Sequence, residues 1–100
     1  RKIGFREGET LFYHKTQSSE CDFLIKEGGR IQQAIQVTYR LGMDNRDREL
    51  KGLVRAMEQF RLEKGVVITK DQHEDIVVSS RGMSYRIQVI PAWRWALDRH

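Results

Sequence analysis

The sequence predicts an α/β sandwich around a mixed sheet, in the order β-β-β-α-β-(β-β)-α. Three observations predict it. The β-prone stretch over residues 10–40 is interrupted at Gly28-Gly29, as a meander requires. Leu50, Leu53, Val54, Met57 and Phe60 fall at i, i+3, i+4, i+7 and i+10, one apolar helical stripe. Val66-Val67-Ile68-Thr69 then follows as a short bounded apolar run, the pattern of a buried strand reached by a crossover and parallel to the strand before it.

Each element has a local cause. Thr10-Leu11-Phe12-Tyr13-His14-Lys15 is aromatic and β-prone, a first strand. Residues 20–26, Glu-Cys-Asp-Phe-Leu-Ile-Lys, make a second, and Gly28-Gly29 supplies the positive φ angles of a tight hairpin. Residues 30–40 alternate as a third strand, with Ile31, Gln33, Ile35, Val37 and Tyr39 on one face and Gln32, Ala34, Gln36 and Thr38 on the other. Asp44 is the expected N-cap of the helix, Asp47 completes a capping-box-like pair, and Gly65 is the expected C′ stop. Asp71 to Asp75 reads as an acidic loop. Ile76-Val77-Val78 and Tyr85 to Ile90 form a hairpin around Ser80-Arg81-Gly82, and Pro91 opens a short terminal helix over Ala92 to Leu97.

The 100 residues, 39% hydrophobic and 32% charged, suit one domain with a core of its own. No apolar run is long enough to span a bilayer. Cys21 is the single cysteine, so no internal disulfide forms and a cytoplasmic setting is expected. With His14, His73 and His100 scattered, no structural zinc site is expected either. The net charge of +4 is spread thinly, without the dense basic block of a DNA-binding arm. Arg48, Lys51 and Arg55 lie on the polar helix face; they read as a solvated face or as a phosphate-contact stripe.

No P-loop, dinucleotide fingerprint or nucleophile elbow occurs. The candidate site is Glu20 and Asp22 on the second strand with Gln36 and Thr38 on the third. Period-2 alternation sets each pair on one face, and the hairpin brings the pairs side by side. An acid facing an acid-x-lysine pair on the next strand is the layout of PD-(D/E)XK nucleases, in which carboxylates hold a divalent cation and the lysine stabilises developing charge. Here Gln36 stands in the acid's slot and Thr38 in the lysine's. Asp22 survives as a weak metal ligand and Glu20 can lend a second carboxylate; one or two carboxylates hold magnesium weakly, with substrate phosphates filling the shell.

Five fragments in order carry a resemblance: Glu20-Cys21-Asp22-Phe23-Leu24-Ile25, Ile35-Gln36-Val37-Thr38-Tyr39, Arg48-Glu49-Leu50-Lys51-Gly52-Leu53, Val67-Ile68-Thr69-Lys70-Asp71 and Ile87 to Trp95. Together they resemble the C-terminal domain of unknown function that ends many bacterial and archaeal predicted AAA+ ATPases. The resemblance implies a restriction-endonuclease-like sandwich lacking its N-terminal helix. It also implies that residues 1–100 are a single C-terminal domain, with ATP bound in an N-terminal P-loop domain outside this sequence. A chain that opens on Arg1 is expected to be such a piece.

Three functions follow as expectations. The first is a non-catalytic, degenerate nuclease-like module that needs no cofactor of its own and helps its ATPase domain contact DNA, RNA or protein. The second is a metal-dependent nuclease using Glu20, Asp22 and Gln36. The third is a structural closure of the ATPase domain. None involves a membrane.

Overall fold

In the computed structural model the backbone is described for residues 9–15 and 20–98, and the side chains from Phe23 to Asp98. The chain is an α+β domain: β1 (Glu9–Lys15), β2 (Glu20–Glu27), β3 (Arg30–Val37), α1 (Arg46–Phe60), β4 (Lys64–Thr69), β5 (Glu74–Ser80), β6 (Met83–Pro91) and α2 (Ala92–Asp98). One mixed sheet of six strands has the order β1-β2-β3-β4-β6-β5. β3, β4 and β6 run parallel, and the other pairings are antiparallel. The expected element order and the parallel crossover through α1 are both present.

Two tight turns pin the register. Glu27 pairs with Arg30 around Gly28 and Gly29, whose φ angles are 62° and 81°. Ser80 pairs with Met83 around Arg81 and Gly82, at 53° and 79°. Two successive positive φ angles match the twist of a two-residue hairpin.

The sheet has an apolar cluster on each face. On the α1 side Leu24, Ala34, Val67, Ile87 and Val89 pack with Leu53, Val54, Ala56 and Met57. On the other side Ile25, Ile35, Val66, Ile68 and Ile90 pack with Phe23 and Trp95. Trp95 is half-buried there, whereas Trp93, two residues earlier, points to solvent, as their spacing on a helix dictates. Leu53 and Met57 are wholly buried, so truncating either to alanine is expected to cost about 2–5 kcal/mol.

Several local expectations are corrected. Ile31 and Ile35 do not share a face: Ile31 packs against the α1-side cluster and Ile35 belongs to the opposite one. The cause is a bulge. Ile25 pairs with Gln33 and Lys26 with Ile31, which leaves Gln32 without a partner on β2 and inverts the alternation. The N-cap of α1 is Asn45, not Asp44. Asn45 makes no side-chain cap; its Oδ1 accepts from the Gly42 N–H (2.8 Å) and its Nδ2 donates to the Arg40 carbonyl (2.9 Å).

The helix ends at Arg61, in the left-handed region with φ 56°, and not at Gly65. Gly65 instead lies in β4 under the helix, where an added Cβ would stand 2.7 Å from Met57 Sδ. Its lack of a side chain serves helix–sheet approach, not helix termination. Glu74 and Asp75 belong to β5 rather than to the preceding loop. Pro91 closes β6, opposite Thr69, and α2 starts one residue later.

Candidate functional site

The site is built where four elements meet: the start of β2, the ends of β3 and β4, and the first turn of α1. In sheets with parallel strands, carboxyl ends of this kind are where ligands are received. The β2–β3 register reaches Phe23 opposite Ile35. Asp22 and Gln36 each lie one residue past that last pair, and the pairing does not extend to them. Asp22 is also a point of irregularity on its other side: Tyr13 pairs with Phe23 and His14 with Cys21, and Asp22 is skipped. The simple alternation expected to align Glu20 with Asp22 is therefore broken between them. The side chains of Glu20, Cys21 and Asp22 lie outside the described residues.

Gln36 is 4% exposed, one of the few buried polar side chains of the core. Its Nε2 donates to Glu49 Oε1 at 3.1 Å. Burying an amide is costly unless it is hydrogen-bonded, and this contact meets that need. Glu49 comes from the first turn of α1, where a negative charge is favoured by the helix dipole. Its other oxygen, Oε2, lies 3.4 Å from Arg48 Nε. Glu49 thus couples a strand residue in the core to a cation on the surface.

Thr38 is engaged in the loop that follows. Its N–H donates to the Ile68 carbonyl at 2.9 Å, its Oγ1 donates to the Arg40 carbonyl at 3.4 Å, and it accepts from Asn45 Nδ2 at 3.4 Å. A hydroxyl used in this way ties the β3–α1 loop down and brings no charge to that end of β3.

The loops at this end are clamped to each other. Gln72, after β4, accepts from the Leu41 N–H at 2.6 Å and donates to the Leu41 carbonyl at 2.9 Å. Thr69 Oγ1 accepts from the Gln72 N–H at 3.0 Å. Arg46 meets both carboxylate oxygens of Glu74, at 3.2 and 2.8 Å. That bidentate contact holds the Glu74 carboxyl below its ordinary range, through the hydrogen bond first and partly opposed by desolvation. The Arg46 guanidinium is raised in turn, chiefly by the same hydrogen bond.

The expected cation stripe divides. Arg48 is exposed beside Glu49, whereas Lys51 and the half-buried Arg55 line a cleft facing the β5–β6 hairpin. Sequence reasoning missed Glu49, Asn45 and Gln72. Glu49 carried a signal: it stands at i, i+4 and i+7 with the buried Leu53 and Ala56, on the edge of the inward stripe.

The described residues do not compose a magnesium site. Among the described side chains Glu49 brings a carboxylate to Gln36, and it is already engaged by Gln36 and Arg48. No group of three or more His, Cys, Asp or Glu side chains able to share a metal ion occurs among the described residues. No helix among them is long and apolar enough to cross a membrane.

No family model matches the chain. Over 101 aligned residues, 97% of this chain, it is 35% identical to the uncharacterized protein MJ1544 of Methanocaldococcus jannaschii. The chain spans 22% of that relative's length.

Proposed function

We propose that this chain is a non-catalytic, restriction-endonuclease-like accessory domain of a larger P-loop ATPase, contacting nucleic acid or protein on the ATPase's behalf. The observation that carries the reading is Gln36. In the acid's slot stands a neutral amide, 4% exposed and hydrogen-bonded to Glu49. An amide in that position offers a divalent cation no charge, and Thr38 offers none to a phosphoryl transition state.

One observation favours a second reading, a metal-dependent nuclease. Glu49 brings a carboxylate to the very residue that replaced one, so Asp22, Glu20 and Glu49 together would restore the charge missing at Gln36. The two readings part in a single assay. The chain is incubated with labelled single- and double-stranded DNA and magnesium or manganese, beside Asp22→Ala and Glu49→Gln variants. A mobility shift without cleavage is the expected result. Metal-dependent cleavage lost in both variants would make the chain an enzyme. Neither shift nor cleavage would leave contact with the ATPase domain as its role.

A further inference from the structure

The cleft lined by Lys51 and Arg55, of about 420 Å³, lies between α1 and the β5–β6 hairpin, and Gln36 is not part of its lining. Its floor is apolar: Leu50 and Val54 from α1 and Val78 from β5. Its rim is cationic, with Lys51 and Arg55 one turn apart on the helix and Arg81 at the hairpin tip. Arg81 takes a left-handed φ of 53° in the two-residue turn, so its backbone is fixed where the rim needs it. Ser80 Oγ donates to Glu58 Oε2 at 3.1 Å, tying the hairpin to the helix and holding the cleft's width.

The charges along the helix side are ordered. Asp47, Lys51, Arg55 and Glu58 all line the cleft, two cations bracketed by two acids. Asp47 and Glu58 are eleven residues apart, about 16 Å along the axis. A nucleic-acid backbone carries phosphates without interruption and would meet an acid at both ends. An extended peptide covers about 16 Å with five residues, and it can place carboxylates only at the centre. It can also lower an apolar side chain onto Leu50, Val54 and Val78, which a phosphodiester chain cannot.

We infer that this cleft is a docking site for a short acidic peptide segment of a partner protein, with one apolar anchor flanked by carboxylates. The inference is independent of the nuclease-like reading, because its test reports on the cleft residues alone.

The probe is the capped pentapeptide Ser-Glu-Leu-Glu-Ser, titrated into the isotope-labelled chain and followed by amide chemical shifts. Shifts are expected at Leu50 to Arg55 and at Val78 to Arg81, saturating with a Kd of about 1 mM or tighter. Replacing the peptide's leucine by serine is expected to weaken binding about tenfold, and so is the Lys51→Ser, Arg81→Ser double variant, both of whose side chains are exposed. Three results would overturn the inference: no shift at these amides with millimolar peptide, equal binding of the leucine-free peptide, or tighter binding of a DNA decamer at the same amides. Mapping on the unaltered chain answers the question even where a variant fails to fold.

Discussion

Gln72 and Leu41 are joined as two strands would be: the Leu41 N–H donates to Gln72 Oε1 at 2.6 Å, and Gln72 Nε2 returns a bond to the Leu41 carbonyl at 2.9 Å. One side chain thereby satisfies both backbone groups of a residue whose own side chain is buried. It also joins the loop after β3 to the loop after β4, 31 residues apart. Gln72→Ala leaves both groups of Leu41 without these partners, and it is expected to cost about 1–3 kcal/mol in urea unfolding. Gln72→Glu keeps the acceptor and loses the donor, so it is expected to recover part of that loss. Equal stability of all three proteins would show that water replaces the amide without penalty.

Gly65 shows a different constraint, one of space. A Cβ there would meet Met57 Sδ at 2.7 Å and Leu53 Cδ2 at 3.2 Å. Gly65→Ala is expected to destabilise by about 1–3 kcal/mol, because α1 must lift or Met57 must leave its rotamer. The effect is expected to shrink in a Met57→Ala background, since the closest clash is removed. A double-mutant cycle with no coupling between the two positions would count against direct contact as the cause.

These two residues mark what the sequence could and could not disclose. The stripe from Leu50 to Phe60 was legible because five apolar residues repeat at one period, and the hairpin at Gly28-Gly29 because few residues accept positive φ. Gly65 is visible in the sequence as a special residue, but its role is not, since helix termination is a local signal and a close approach across layers is not. Period-2 alternation puts Ile31 and Ile35 on one face, and the bulge at Gln32 that separates them carries no compositional mark. Asp44 and Asn45 are equally good cap types. The choice between them depended on where the Asn45 amide found partners, at Gly42 and Arg40. Gln36 and Thr38 were recognisable as a pair on one strand. The Glu49 bond, formed across 13 residues, had to await the packing of α1 on β3.

Arg46 and Glu74 give the stability a pH dependence with a definite sign. The Glu74 carboxyl is held below the ordinary 4.5 by the hydrogen bond from Arg46. The folded state therefore binds that proton less readily than the unfolded chain does. The contribution is fully present above about pH 4.5 and is lost as pH falls through the folded value. Glu74→Gln is expected to flatten the acid limb of stability against pH and leave the neutral region little changed. Both side chains are exposed enough for salt to weaken the difference. A carboxyl resonance of Glu74 titrating at or above 4.5 would contradict the sign.

Gln36→Glu tests the candidate site most directly. It replaces the amide that donates to Glu49 with a carboxylate, in a position 4% exposed. Two carboxylates about 3 Å apart cannot both ionise there without cost, so one is expected to titrate well above its ordinary range. The variant is expected to be less stable than the parent by about 1–3 kcal/mol at pH 7 and to recover as pH is lowered through that raised value. Magnesium or manganese is expected to restore stability at neutral pH if Asp22 stands near enough to complete a cation site with the new pair. Recovery with acid but none with metal would place Asp22 outside coordinating distance of Gln36, and the nuclease reading would lose Asp22 as a ligand. Recovery with metal, together with cleavage once Thr38→Lys is added, would show a catalytic layout needing only two side chains to work.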